Sequence, residues 1–330
     1  MEYAQIGRSD VRISRIGFGC EQLGGTDWGD VDPRSVARAV RRALELGITF
    51  FDTADVYGLG ASERALASAL GDDRHAVVIA SKFGVNWKSD PNGGRAKTYV
   101  DCSPNRLEEA LEGSLRRLRI ERIPLYLVHW PDPRTPLDVT MNALAKAQRA
   151  GKIGQVGVSN FPVNLVRAAN EIVRLSAVEV QYNLLDRIVE KDLVNCCQDL
   201  GLSLLAYGPL AQGLLTGKYR TNGGFKPTDR RRRLPHFQGP QWEKNLEATE
   251  RVCEVAARLE YKSSSQVALR WLLDNPTVTS VITGVKTAAQ IEENVGALGW
   301  ALSREHRAYL EGTSPESSVN GRRSAWPEQI

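Results

Sequence analysis

Eight short apolar runs recur along the chain, each followed by a longer amphipathic stretch. That alternation constrains the fold more than any other feature. The runs are RIGFG (15–19), TFFDTA (49–54), AVVIASK (76–82), LYLVHW (125–130), GQVGVSN (154–160), VEVQYN (178–183), LSLLAYG (202–208) and SVITG (280–284). Most are continuously apolar rather than alternating, the pattern of parallel strands covered on both faces. The helical signals between them are explicit. DPRSVARAVRRALELG offers Asp32 as N-cap, Pro33 at the first helical position and Gly47 as a stop, with Val36, Ala39, Val40, Ala43 and Leu44 on one stripe. SPNRLEEALEGSLRRLRI opens at Ser103 with Pro104 next, and PLDVTMNALAKAQRAGKIG stops at Gly151. Further helices are expected near 62–70, 162–174, 190–200, 263–274 and 287–298. Eight strand–helix pairs predict an α/β fold, a closed (β/α)8 TIM barrel. A short N-terminal β-hairpin, YAQIG and VRIS around Arg8–Ser9–Asp10, would close its bottom. No linker or low-complexity segment divides the chain, so one barrel domain over residues 1–330 is expected, with a peripheral tail from about Thr313. Gly208 to Glu243, after the seventh strand, reads as a long loop rich in Gly, Pro and Arg. A loop of that length in a compact domain is commonly functional.

Composition removes several function classes. A chain 42% hydrophobic and 25% charged can fill a sizeable core. No apolar run is long enough to span a membrane, and MEYAQIGRSDVRIS lacks a charged-then-apolar leader pattern, so a cytoplasmic location with no membrane partner is expected. A net charge of +4 is too small to argue for nucleic acid. The five cysteines, Cys20, Cys102, Cys196, Cys197 and Cys253, have no zinc spacing and read as free thiols. Of the four histidines, only His129 ends a strand, so no metal is expected and a metal-dependent barrel hydrolase is disfavoured.

In such barrels the active site lies at the C-terminal rim of the strands. Here the strands end in polar residues. The second ends at Asp52 with Tyr57 in the loop beyond it, the third in Ser81–Lys82, and the fourth in His129–Trp130. The fifth ends in Ser159–Asn160, the sixth carries Gln181, and the seventh ends at Tyr207. A carboxylate, a lysine, a tyrosine and a histidine without metal ligands suit proton transfer. A tyrosine, with a reference pKa of about 10, is a poor acid at neutral pH. A neighbouring ammonium lowers that value, and Asp52 would hold Lys82 charged and oriented. His129 can donate to a substrate oxygen. Such an array polarises a carbonyl and protonates its oxygen. The carbon must then receive a hydride, which no side chain supplies and a nicotinamide does. Ser159, Asn160 and Gln181 are the neutral donors and acceptors a carboxamide needs, and Tyr207 can stack on a flat ring. Gly208, Pro209, Leu210, Gln212 and Gly213 bring main chain, and Lys218 brings charge, to a pyrophosphate. A helix opening after Gly284 offers its N-terminus to a phosphate.

On FDTADVYGLGASE, ASKFG, LYLVHWPD, GKIGQVGVSNF and VQYNLLDR, in that order and spacing, the chain resembles the aldo-keto reductases from about Tyr3 to Leu310. The resemblance implies Tyr57 as general acid/base in a tetrad with Asp52, Lys82 and His129. It implies NADP(H) as cofactor, its carboxamide held by Ser159, Asn160 and Gln181, its nicotinamide stacked on Tyr207, and Gly19, Cys20 and Asp52 close by. YGPLAQGLLTGKY and the loop after it look closest to the inositol-locus and potassium-channel beta-subunit branch. That branch implies a lysine and an arginine on the cofactor phosphates, here Lys218 and Arg231. It maps the adenosine site onto Gly284, Val285, Lys286, Gln290, Glu293 and Asn294. Lys286 stands where a 2′-phosphate is read, which favours NADPH, while Gln290 replaces the arginine usual in aldose reductases. Where many relatives read Gly-Thr-Trp, this chain reads Gly19–Cys20–Glu21. The candidate substrate pocket comprises Glu21, Trp28, Phe83, Trp87 and Trp130 beside Tyr57 and His129, with Asp27 and Asp30 as further polar contacts. The leading expectation is an NADP(H)-dependent reductase of a small-molecule aldehyde or ketone, compatible with a homo-oligomer. Two alternatives stand beside it: a reductase of a nucleotide-sugar ketone or enone in deoxysugar synthesis, and an NADPH-binding, redox-sensing regulatory subunit.

Overall fold

Side chains alternate between the two faces of a strand, so one parity of each strand faces into a barrel and the other faces the helices. A computed structural model describes residues 1–25, 28, 31–89, 96–219, 225–226 and 229–312 of the chain. Asp27, Asp30 and the tail from Thr313 lie outside the described residues. The chain opens with an antiparallel hairpin, β1 (Tyr3–Gln5) and β2 (Arg12–Ser14). There follow β3 (Ile16–Gly19), α1 (Pro33–Glu45), β4 (Phe50–Asp52), α2 (Ala61–Leu70) and β5 (Val78–Phe83). A second hairpin, β6 (Val85–Lys88) and β7 (Lys97–Val100), precedes α3 (Pro104–Leu118), β8 (Ile123–Val128), α4 (Leu137–Arg149) and β9 (Ile153–Ser159). Then come α5 (Val163–Ile172), β10 (Ala177–Gln181), α6 (Leu193–Leu200), β11 (Ser203–Tyr207), α7 (Gly239–Arg258) and α8 (Ser264–Leu273). The chain's last described elements are β12 (Val278–Gly284), α9 (Ala288–Val295) and α10 (Arg304–Glu311).

The strands β3, β4, β5, β8, β9, β10, β11 and β12 pair in parallel and close into a barrel, with Val281 of β12 opposite Ile16 of β3. All eight expected strands are present, with helices between them. Phe50, Ala80, Leu125, Leu127, Ala177, Leu205 and Ile282 fill the barrel, and Ile6 and Ile13 of the first hairpin plug its lower end. The hairpin sits tightly on the barrel: a Cβ on Gly7, whose φ is +53°, would stand 2.6 Å from the carbonyl oxygen of Ser176. The opposite parity packs against the helices, as Phe51, Ile79, Tyr126 and Val156 do.

The helix signals act as the sequence dictates. Asp32 caps α1 by accepting from the amides of Arg34 (3.0 Å) and Ser35 (3.2 Å), and Val36, Ala39, Val40 and Ala43 are buried. Ser103 caps α3 through the amide of Arg106 (3.4 Å). Three elements were not expected: the β6–β7 hairpin, α7 and α10. In α7 the buried residues Trp242, Asn245, Ala248, Thr249, Val252, Val255 and Ala256 keep a helical period. Asn245 and Thr249 break its apolar signature, because they are buried with their hydrogen bonds satisfied, Asn245 on the His236 carbonyl and Thr249 on the Asn245 carbonyl. The described parts of the stretch from Gly208 to Glu243 carry more regular structure than a long loop. They form 3₁₀ turns at Ala211–Thr216, Arg230–Arg233 and Pro235–Phe237, and α7 begins at Gly239.

Candidate active site

The polar strand ends share the inward parity of the barrel core. Asp52 follows Phe50 by two residues, Lys82 follows Ala80, His129 follows Leu127, and Tyr207 follows Leu205. Each side chain therefore projects into the barrel one layer above an apolar plug. Lys82 is fully buried. Its Nζ donates to both oxygens of Asp52, at 2.6 and 2.7 Å, and to the Thr53 carbonyl at 3.1 Å. It also reaches Tyr57 Oη at 3.4 Å and lies 5.2 Å from the centre of that ring. The imidazole of His129 meets Tyr57 edge-on, with ring centres 5.8 Å apart at 82°. Asp52, Tyr57, Lys82 and His129 thus converge on one point.

The electrostatics decide the protonation states. Burial alone would push the Lys82 ammonium down, but Asp52 and Glu179 outweigh it and hold the group well above its usual range. Burial, reinforced by Lys82, lowers the His129 pKa well below the usual histidine value, so His129 is a neutral donor near pH 7. Tyr57 corrects the sequence expectation in part. Lys82 does make its phenol more acidic, but burial outweighs Lys82 and the pKa lies well above that of a free tyrosine. Tyr57 therefore carries its proton throughout the physiological range, the state required to give one away.

The loop carrying Tyr57 is fixed by buried polar contacts that the sequence did not reveal. Asp55 is ion-paired with Arg106 of α3, whose guanidinium lies 5.1 Å from the centre of the Trp87 ring on β6. Burial pushes the Asp55 carboxyl up to about 7, against the pull of Arg106. Ser62 Oγ donates to the Cys20 carbonyl at 2.7 Å, and Glu63 accepts from Ser81 (2.7 Å) and Arg117 (2.6 Å). Gly58 presses on Gly24: a Cβ there would stand 2.3 Å from the Gly24 carbonyl oxygen.

On the opposite wall Asn160 adopts a left-handed conformation, φ 62°. Its Nδ2 donates to the His129 carbonyl and Ser159 Oγ, both at 3.0 Å, and its Oδ1 accepts from Tyr207 Oη at 2.9 Å. Gln181 Nε2 donates to Asp186 Oδ2 at 2.7 Å, and His236 also contacts that carboxylate, at 3.0 Å. These bonds use Ser159 Oγ as an acceptor and Gln181 Nε2 as a donor, so the Ser159 hydroxyl proton and the Gln181 carbonyl oxygen keep one donor and one acceptor uncommitted. That pair is the complement of a carboxamide, so the donor set fits a nicotinamide.

The other expected cofactor residues are distributed along the rim from β11 to α9. Gly208 is left-handed, φ 61°, as are Gln212 (φ 54°) and Gly213 (φ 92°), with Pro209 and Leu210 between them. Lys218 lies 5.1 Å over the Tyr219 ring. Arg231 is engaged by Asp229, at 2.5 Å, and by the Tyr219 hydroxyl. Gly284 ends β12 against Gln22, whose Nε2 would stand 2.4 Å from a Cβ there. The Lys286 amine contacts the Trp28 carbonyl, and its amide donates to Gln290 Oε1 at 2.7 Å. Glu293 accepts from Ser263 at 2.8 Å, and Asn294 is buried on α9. Gly19 ends β3 and Cys20 follows it, where burial raises the Cys20 thiol pKa well above its usual value and leaves it an inert packing group.

Of the pocket candidates, Phe83 is misplaced by the sequence reading. It has the parity opposite to Lys82, is fully buried, and stacks on Tyr126 with centres 5.4 Å apart, in the layer between barrel and helices. Trp28, Trp87, Trp130 and Glu21 remain at the rim. Glu21 pairs with Arg230 at 2.7 Å, and Trp28 bridges to Asp229, so the turn after β3 is tied to the basic run after β11. The residue the sequence reading missed is Glu179 of β10, inside the barrel with its Oε1 3.4 Å from Lys82 Nζ. Its parity, two residues before Gln181 in an otherwise apolar strand, was the available signal. No cluster of residues able to hold a metal ion occurs among the described residues.

An Asp–Lys–Tyr–His cluster at the C-terminal rim of a parallel barrel, buried except for the half-buried Tyr57, coincides with a match to the family model "Aldo/keto reductase family" over residues 15–314. The chain belongs to the aldo/keto reductase family. It is 34% identical over 307 residues to aldo-keto reductase YhdN of Bacillus subtilis, covering 92% of this chain and 91% of that protein. It is 33% identical to the Schizosaccharomyces pombe aldo-keto reductase yakc, whose name specifies NADP(+), covering 88% of this chain and 85% of that one. Among solved structures, the glycerol dehydrogenase AKR11B4 from Gluconobacter oxydans superposes with a TM-score of 0.87 at 33% identity, covering 98% of both chains. The holo form of aldo-keto reductase AKR11C1 from Bacillus halodurans gives 0.79 at 26% identity, covering 95% of this chain and 96% of that one. The family membership agrees with the barrel, the N-terminal hairpin and the oxidoreductase class.

Proposed function

We propose that this oxidoreductase is a single-domain NADP(H)-dependent reductase that converts an aldehyde or ketone to an alcohol. The observation that carries the reading is the contact of Tyr57 Oη with a fully buried Lys82 held by Asp52, beside a neutral His129. The nicotinamide supplies the hydride when bound. The chain's own residues do the rest. Tyr57 gives its phenolic proton to the carbonyl oxygen, and Lys82 stabilises the charge left on the phenol. His129 donates to the same oxygen and orients it. Asp52 fixes Lys82 in place. Ser159, Asn160 and Gln181 would hold the carboxamide, Tyr207 the ring, and Lys218, Arg231 and Lys286 the phosphates.

The aromatic rim of Trp28, Trp87 and Trp130, with Glu21 and Arg230 beside it, suits a small carbonyl compound bearing hydroxyls, a class akin to the polyol in the name of the Gluconobacter relative. The test is NADPH oxidation by the purified protein with aldehydes, ketones and hydroxylated carbonyl compounds. Turnover that follows the carbonyl compound supports the reading. Tight NADPH binding with no turnover on any of them would replace it with a cofactor-binding regulatory role.

A further inference from the structure

Three charged groups meet inside the barrel where the tetrad needs only two. β10 sends Ala177, Glu179 and Gln181 inward, and Glu179 lies in register with Ser159 of β9 and Leu205 of β11. Its side chain is about as buried as that of Asp52. Asp52 holds Lys82 Nζ through two short bonds, at 2.6 and 2.7 Å, whereas Glu179 Oε1 stands 3.4 Å away and its Oε2 has no hydrogen-bond partner. With all three groups ionised, the cluster would bury a net negative charge, which costs far more than retaining one proton. Asp52 has the better contacts to the ammonium and keeps the charge, so the proton belongs on Glu179.

We propose that Glu179 is a positioning residue of this active site: an un-ionised carboxylic acid beside Lys82 whose charge state sets how acidic Tyr57 is. The inference rests on the reading of Tyr57 as the acid. Burial pushes the Glu179 carboxyl up to about 8, with Asp52 adding to the rise and Lys82 opposing it. A protonated Glu179 beside it favours the charge on Asp52. The groups facing Glu179 are Asp52 on β4, Lys82 on β5, Tyr207 on β11 and Tyr57 on its loop; Cys20 and His129 face the same Lys82. An ionised Glu179 raises the Tyr57 pKa, as Asp52 and Glu21 do. Below about pH 8 the proton on Glu179 leaves Lys82 opposed by Asp52 alone. In more alkaline solution the second carboxylate appears and holds the Tyr57 proton more tightly, which keeps Tyr57 in its acid form.

The test is a tyrosinate absorbance titration of Glu179→Gln, with the Tyr57 contribution isolated by subtracting the same titration of a variant that also carries Tyr57→Phe. Glu179 Oε1 and Tyr57 Oη each stand 3.4 Å from Lys82 Nζ, and removing one negative charge that close to the phenol should move Tyr57 ionisation to a pH lower by roughly one to two units. An unchanged Tyr57 titration in the folded variant overturns the proposal. Glu179→Met, equally uncharged, must give the same displacement, and it decides the matter if the glutamine variant does not fold. The titration needs no cofactor and no turnover. Failure of the wild-type protein to reduce carbonyl compounds would therefore count against the functional reading alone, and an unmoved Tyr57 against Glu179 alone. In active protein, the alkaline limb of the pH profile for alcohol oxidation should move in the same direction by the same amount.

Discussion

Lys82→Met is the perturbation that most exposes the logic of the site. Methionine keeps an unbranched apolar stem that ends about where the Lys82 Cε lies, and removes the ammonium from between Asp52 and Glu179. Asp52 then loses its two Nζ contacts, at 2.6 and 2.7 Å, and the Thr53 carbonyl loses its own at 3.1 Å. A buried carboxylate robbed of its partner costs about 3–5 kcal/mol. The protein can lower that cost by protonating Asp52. From an ordinary carboxylate pKa near 3.9, doing so at pH 7 costs about 4 kcal/mol, and at pH 5 about 1.5 kcal/mol. The sign is fixed. In the variant, Asp52 has a folded pKa above its unfolded value, so stability is intact below about pH 4 and is lost as pH rises. Urea unfolding followed by tryptophan emission, at pH 5 and pH 7, measures both numbers on the variant and the wild type. The expected result is a loss of about 4 kcal/mol at pH 7 that shrinks to about 1–2 kcal/mol at pH 5. An equal loss at both values would refute the buried-charge reasoning, because simple loss of packing carries no pH dependence.

Lys286→Ala should weaken NADPH binding roughly tenfold or more while changing NADH little, the size of one charge-assisted bond to a phosphate; equal losses for both in a fluorescence titration would remove its role in reading the 2′-phosphate. The wild-type protein should be more stable at pH 5 than at pH 8. Glu179 and Asp55 have folded pKa values raised to about 8 and about 7, so their contributions are present in acid and are lost across that window; His236, raised by Asp186, acts with the same sign, while His129, lowered by burial, opposes them only below the ordinary histidine value of about 6.5. Each contributes up to about 1.4 kcal/mol per pH unit of displacement, and a thermal midpoint that rose from pH 5 to pH 8 would contradict the assignment.

Much of this molecule was legible in its sequence, and the exceptions have physical causes. Buried parallel strands and capped amphipathic helices write strong local signals, so the barrel and the starts of α1 and α3 follow from Pro33, Ser103 and their neighbours. The tetrad was visible because polar residues ending apolar strands stand out. Phe83 was misplaced and Glu179 missed for one shared reason. A strand sends alternate residues to opposite sides, and the reading by strand ends ignored parity. Parity places Phe83 against Tyr126, outside the barrel, and Glu179 inside it, beside Lys82. The Asp55–Arg106 and Glu63–Arg117 pairs link residues 51 and 54 positions apart, and local patterns carry no trace of such contacts. The basic run from Arg230 to Arg233 showed its charge in sequence but not its partners: Arg230 on Glu21 and Arg231 on Asp229.

The central claim is that Tyr57 delivers the proton in a carbonyl reduction. The most direct measurement compares wild-type protein and Tyr57→Phe for NADPH oxidation on a responsive carbonyl substrate, with NADPH affinity measured in parallel. The expected result is unchanged NADPH binding and a turnover number lower by roughly 100- to 10,000-fold, the range for loss of a general acid. Undiminished turnover in Tyr57→Phe would contradict the claim and require another group in this cluster to supply the proton.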